Sequence, residues 1–348
     1  MKEYYYNYLA GLPDAKLRQR AYYLILQGLK EISPSFPVPK LDAADLTELF
    51  TFVRLDHPEI FYASGFTYSF YPQADSVLFT PEYLFKKKEI LEHQNAISSR
   101  IRKLIRPVSG KEETEKELFV HDFICQNVRY DKLKKAYSHE IIGPLTQGVG
   151  VCEGIAKTVK ILCDELNIPC IIAFCHNNPD KGIKYRHAWN IVTIGGKTVH
   201  LDATFDNTLT AGGDIRYDYF NTDDASLFRD HEKPVWPLPS CSGRTEFYYI
   251  KKKLSFTKYE DLRNRISQAA KKKKALTFHW RGSYLTRDVL KEISSIIGEE
   301  AEKRQLEPIL SLNWPQAVFR ITFSEKEKPS VFSEDDIRIE ISNEGELN

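Results

Sequence analysis

The chain has 348 residues, a net charge of +1, 42% hydrophobic and 28% charged residues, a balance ordinary for a globular protein. A charge this close to zero gives no global attraction for nucleic acid or an anionic membrane, and no run of about 18 apolar residues offers a membrane span. Single hydrophobic cores stop growing near roughly 250–300 residues, so two or three domains are expected.

Three parts are expected: a mainly helical region over 1–106, a core over 107–250 and a small α/β unit over 251–348. In the first, helical spacing runs over 15–32 and 83–105, separated by Asp-His-Pro-Glu at 56–59 and by aromatic alternation through Phe66, Tyr68 and Phe70 that suggests one or two strands. The N-terminus has no apolar secretory stretch, and six cysteines are too few for a disulfide scaffold. Reduced thiols and a cytoplasmic location are the expectation.

The core opens on a helix over 112–127, ended by Arg-Tyr-Asp at 129–131, and a polar loop over 132–150 delivers the chain to Cys152. Ile155, Ala156, Val159, Leu162, Cys163 and Leu166 form one apolar stripe, so a helix should start at Cys152 and stop before Pro169. A cysteine in a first helical turn faces unpaired N–H groups and the positive end of the helix dipole, which favour the thiolate. Cys163 lies on the same stripe about 16 Å further along the axis and, with Cys170 and Cys175, reads as core. The three lack the paired spacing of a zinc site, and no metal or cofactor is expected.

Residues 185–194 and 197–205 alternate around Gly195-Gly196, a strong hairpin signal. That register sets His187 opposite Thr204 and Trp189 opposite Asp202, so the His187 and Asp202 side chains share one face as diagonal neighbours about 7–8 Å apart at Cα. A slip of one residue would turn them both to the other face. Cys152, His187 and Asp202 therefore compose a nucleophile, a base and the group that orients the base. Gln147 is a candidate oxyanion donor, and Trp189 is a candidate shield of His187 and Asp202 from water or a candidate wall of the substrate channel. His176, His200 and His231 read as surface or satisfied histidines, and the lysine runs at 86–88, 251–253 and 271–274 as solvated faces. Beyond the core, helices over 259–272 and 287–304 alternate with a strand over 275–280 and apolar runs at 309–312 and 317–323.

Gly-Val-Cys-Glu-Gly at 150–154, His-Ala-Trp-Asn at 187–190 and His-Leu-Asp-Ala-Thr at 200–204 together resemble the bacterial branch of the transglutaminase-like superfamily, over roughly 110–235. Phe205 stands where many relatives have Trp. The resemblance implies an α+β fold with a papain-like core, a nucleophile helix packed on an antiparallel sheet, and a catalytic triad of Cys152, His187 and Asp202. It also implies acyl transfer or hydrolysis at an amide of a peptide or protein substrate through a thioester. A protease or amidase is slightly preferred over crosslinking, because no acidic loop suggests a calcium switch. A catalytically inactive protein-interaction module is the alternative, and the oligomeric state is not specified by the sequence.

Overall fold

The computed structural model describes residues 3–70, 73–181, 186–210, 213–326 and 339–341. Contacts divide the chain into two units, one of residues 1–216 with 232–242 and one of 217–231 with 243–348. The first is mixed helix and sheet and contains all three motifs.

It begins with α1 (Tyr4–Tyr8), α2 (Ala15–Lys30), β1 (Phe36–Pro39), α3 (Ala43–Asp56), β2 (Ala63–Phe70), β3 (Ser76–Tyr83) and α4 (Lys87–Ile105). The strands form an antiparallel sheet in the order β1-β3-β2. Helix α3 was not anticipated, although its signals are local: Asp42 accepts the Asp45 N–H at 2.7 Å, and Leu46, Leu49, Phe50 and Val53 bury one face. At its far end the buried Asp56 carboxylate accepts the Tyr5 and Tyr6 backbone N–H groups at 3.1 and 2.9 Å and the Tyr22 hydroxyl at 2.9 Å. One side chain thus ties α1 and α2 to α3.

Burial raises the Asp56 carboxyl to about 6, with its three donors and Lys160 only partly opposing the shift. The folded state therefore holds this proton more tightly than the unfolded chain, and the site's stabilising contribution is complete in acid and lost as pH rises through about 6. Between pH 7 and 5 the stability of the wild type should gain about 1 kcal/mol on that of Asp56→Asn, measured by denaturant unfolding. Parallel pH profiles for the two proteins would refute this assignment.

Next come α5 (Glu113–Asn127), β4 (Arg129–Tyr130), β5 (Val149–Gly150), α6 (Cys152–Glu165), β6 (Cys170–Cys175), β7 (His187–Ile194), β8 (Lys197–Leu201) and α7 (Ala203–Thr210). Helix α6 packs against β6 and β7, and α5 lies against both α6 and α7. Strands β6, β7 and β8 are antiparallel neighbours, so α6 rests on an antiparallel sheet, as in a papain-like core. The β7–β8 ladder has the expected register, with Ile194 opposite Lys197 and Asn190 opposite Leu201. Gly195 and Gly196 both take positive φ, +57° and +76°, the conformation a two-residue type I′ turn requires.

Two expectations are corrected here. The segment 132–150 is not simply a polar loop: it holds a 3-10 turn at Ala136–His139 and a π-helical turn at Gly143–Gln147. Burial of Ile141, Ile142 and Leu145 draws it inward, while Asp131 organises its start by accepting the Leu133 and Lys135 N–H groups, each at 3.0 Å, and the Ser138 hydroxyl. The second strand of the hairpin ends at Leu201 rather than 205, because Asp202 Oδ1 accepts the Thr204 and Phe205 N–H groups at 2.9 and 3.1 Å and starts α7.

The second unit contains β9 (Phe220–Thr222), α8 (Asp224–Leu227), α9 (Tyr248–Lys251), β10 (Ser255–Phe256), α10 (Tyr259–Lys271), β11 (Leu276–Trp280), α11 (Arg287–Glu302), β12 (Leu306–Asn313), β13 (Val318–Glu325) and β14 (Ile339–Ile341). Its sheet has the order β10-β11-β13-β12-β14. Leu262 and Ile266 of α10 and Ile293 and Ile297 of α11 close a core with Phe278 and Phe319, whose rings stack 5.0 Å apart. Among the described residues no helix is long and apolar enough to cross a membrane.

Candidate active site

Cys152 is the first residue of α6, and no side chain caps the helix behind it. Its sulfur therefore sits beside first-turn N–H groups that no side-chain acceptor occupies. It is the one half-buried cysteine of six; the other five are buried, and all six are free thiols. The glycine two residues on has a steric reason: a Cβ at Gly154 would lie 2.2 Å from the Ser138 carbonyl oxygen. Only glycine lets the first turn of α6 press against the 138–140 segment, where Val151 N–H also donates to Ser138 O at 3.0 Å.

His187 reaches the same place from the first residue of β7. Its Nε2 lies 2.5 Å from Asp202 Oδ2, and the ring is also hydrogen-bonded to Cys152. With Nε2 turned to the carboxylate, Nδ1 is the nitrogen left for sulfur. Burial alone would lower the histidine's pKa, but the Asp202 charge and hydrogen bond, joined by Cys152, raise it well above the ordinary value. Asp202 is fully buried; its Oδ2 holds the imidazole while its Oδ1 holds the first N–H groups of α7. Asn190 fixes the sheet to α6, donating from Nδ2 to Ala156 O at 2.9 Å. The geometry brings Cys152, His187 and Asp202 into one constellation.

Other anticipated residues fall differently. Trp189 is 1% exposed, donates from Nε1 to His200 Nδ1 at 3.1 Å, and lies nearly parallel to His187 with centroids 5.9 Å apart. A ring so buried backs the histidine and offers a substrate no wall. Gln147 ends the π-helical turn, is exposed, and donates its amide to Thr146 Oγ1 at 3.4 Å; nothing in its contacts aims it at the sulfur. His200 is satisfied by Trp189, His231 lies 2.7 Å from Asp230, and His176 is exposed. Phe205, which strand alternation sets on the face opposite His187, instead packs its ring 5.0 Å from that of His187.

Beneath the first turn lies a charge cluster that the sequence did not reveal. Lys157 is fully buried and pairs with Glu140 and Glu153, each at 2.8 Å, and donates to His139 O at 3.2 Å. Arg54 of α3 pairs with Glu140 and reaches Glu153 at 3.5 Å. Burial would raise the Glu153 carboxyl, but Lys157, His139 and Arg54 hold it far below the usual range.

The sequence of residues 102–203 matches the model of the transglutaminase-like superfamily, and that stretch includes Cys152, His187 and Asp202. The chain carries a transglutaminase-like domain. Around it, similarity to solved structures is partial. A transglutaminase ("TGase") crystal structure aligns at 12% identity and TM-score 0.29, over 49% of this chain and 50% of its own. A candidate cysteine protease from Cytophaga hutchinsonii aligns at 16% identity and TM-score 0.27, over 40% and 61%. A candidate protease from Parabacteroides distasonis aligns at 14% and 0.24, over 41% and 37%. This chain thus spans about half the length of the proteins it resembles, and likenesses this weak leave the reaction to be argued from the site. No curated protein matches the chain.

Proposed function

We propose that the transglutaminase-like domain is a cysteine enzyme that attacks an amide carbonyl in a peptide or protein and carries the acyl group as a thioester on Cys152. The observation that carries this reading is the histidine bonded at both ends, to Asp202 by Nε2 and to Cys152 on its other side. An environment that favours imidazolium keeps a positive charge and a transferable proton beside the sulfur. As the sulfur bonds to the carbonyl carbon, the C=O π pair moves to oxygen. The intermediate then collapses, the C–N bond breaks, and His187 hands its proton to the departing amine. Water, or a second amine, next releases the acyl group; we favour water.

Incubating the full-length protein with casein peptides and a tagged primary amine in ¹⁸O-labelled water tests the reading. One ¹⁸O atom in each newly formed carboxylate reports hydrolysis, and the tag on peptide reports transfer; both should vanish in Cys152→Ala. Neither product from the wild type would count against an enzyme and for a binding module.

A further inference from the structure

We infer that Tyr130 is a further catalytic residue of this site, its phenol O–H donating to the carbonyl oxygen as that oxygen becomes an oxyanion. This rests on the acyl-transfer reading above.

The backbone holds Tyr130 beside the segment that leads into Cys152. Strand β4 is only two residues long, yet two elements hold it. Against β5 it pairs in parallel, with Tyr130 opposite Gly150, and the neighbouring N–H groups of Arg129 and Asp131 donate to Gly148 O and Gly150 O at 2.9 and 3.0 Å. Gly150 is two residues before the nucleophile. Strand β4 also packs against α7, the helix whose first N–H groups Asp202 receives. Asn207 of α7 fixes the chain entering β4, donating from Nδ2 to Ile124 O at 3.1 Å and to Val128 O at 2.8 Å. Tyr130 is thus anchored to the segment that presents the sulfur and to the helix that begins at the carboxylate.

Its chemistry fits the same role. The ring is half-buried, and the hydroxyl makes no hydrogen bond to any described residue, so its proton is available to a ligand. Burial, then the nearby Cys152 and Asp202, raise the phenol well above its ordinary value. It stays protonated wherever the enzyme works, a donor that does not lose its proton. With Gln147 turned to Thr146, the uncapped N–H groups of the first turn of α6 lack a side-chain companion, and Tyr130 supplies one. No atom changes hands in this step: the O–H points at the negative oxygen, stabilises it, and releases it when the C=O re-forms.

Tyr130→Phe removes only a hydroxyl without a partner among the described residues and should leave the fold, and the melting temperature, unchanged. Two rates are then compared with the wild type. Iodoacetamide alkylation of Cys152 forms no oxyanion and should proceed unchanged, whereas acylation by p-nitrophenyl acetate passes through one and should slow by about 10²-fold or more, the usual effect of removing one oxyanion donor. Equal loss in both rates would overturn the inference, because the phenol would then act on the sulfur itself. Unchanged acylation would overturn it as well. A wild type that forms no acyl-enzyme would instead refute the acyl-transfer reading, so the two failures are distinguishable.

Discussion

His187→Ala should slow acyl transfer by about 10²–10⁴-fold, the usual contribution of a positioned general acid–base, and should also change how Cys152 alkylates. Preferential iodoacetamide labelling of Cys152 in the wild type would not by itself demonstrate activation, since the other five thiols are buried and this one is not. The variants separate exposure from chemistry. In the wild type the raised pKa of His187 keeps the imidazolium beside the sulfur above pH 6.5, the ordinary histidine value, and loses it only as pH rises through the elevated one. Alkylation of Cys152 at about pH 7 should therefore be slower in His187→Ala than in the wild type. Asp202→Asn removes the carboxylate that holds the imidazolium, so its rate should fall part of the way toward that of the alanine variant. Rates measured by mass spectrometry would decide, and equal rates in all three proteins would mean that the three side chains do not act together.

The second large effect concerns stability. Replacing Lys157 by methionine keeps much of the side chain's volume but leaves Glu140 and Glu153 short of a cation in a buried setting, with Arg54 the remaining strong partner. Breaking such a cluster by removing one member costs about 3–5 kcal/mol, measurable as a lower denaturant midpoint. The pH dependence carries a sign of its own. Because the folded pKa of Glu153 is depressed, its contribution is present above the unfolded value near 4.3 and is lost as pH falls through the folded one. The variant should therefore lose less stability than the wild type on acidification below about pH 4.5. A Lys157→Met protein as stable as wild type would show that the cluster is ornamental.

Much of the site was legible because its signals are local. The His187–Asp202 pairing follows from a two-residue period and from Gly195-Gly196, and the observed ladder has that register. The start of α6 follows from the stripe behind Cys152. Reading failed where a side chain redirects the backbone: Leu201, Ala203 and Phe205 alternate as a strand would, but Asp202 receives the next N–H groups and turns the chain into α7. An aspartate before Ala-Thr-Phe was a cap signal that the alternation outweighed. Of the two places expected for Trp189, over the His187–Asp202 pair or along a channel, its burial fits the first; alternation specifies a face and not what lies over it. Other features are invisible to any local pattern. Lys157 meets Glu140 from 17 residues away and Arg54 meets it from 86, while Tyr130 lies on a strand too short to have a period.

The most direct test of the central claim, that Cys152, His187 and Asp202 form one acyl-accepting unit, is intact-mass and peptide mapping after brief exposure to p-nitrophenyl acetate. The wild type should gain a single acetyl group, mapped to Cys152 and released by hydroxylamine; Cys152→Ala should gain none, and His187→Ala should gain it far more slowly. Failure of the wild type to acetylate at Cys152, or equal acetylation of the wild type and His187→Ala, would contradict it.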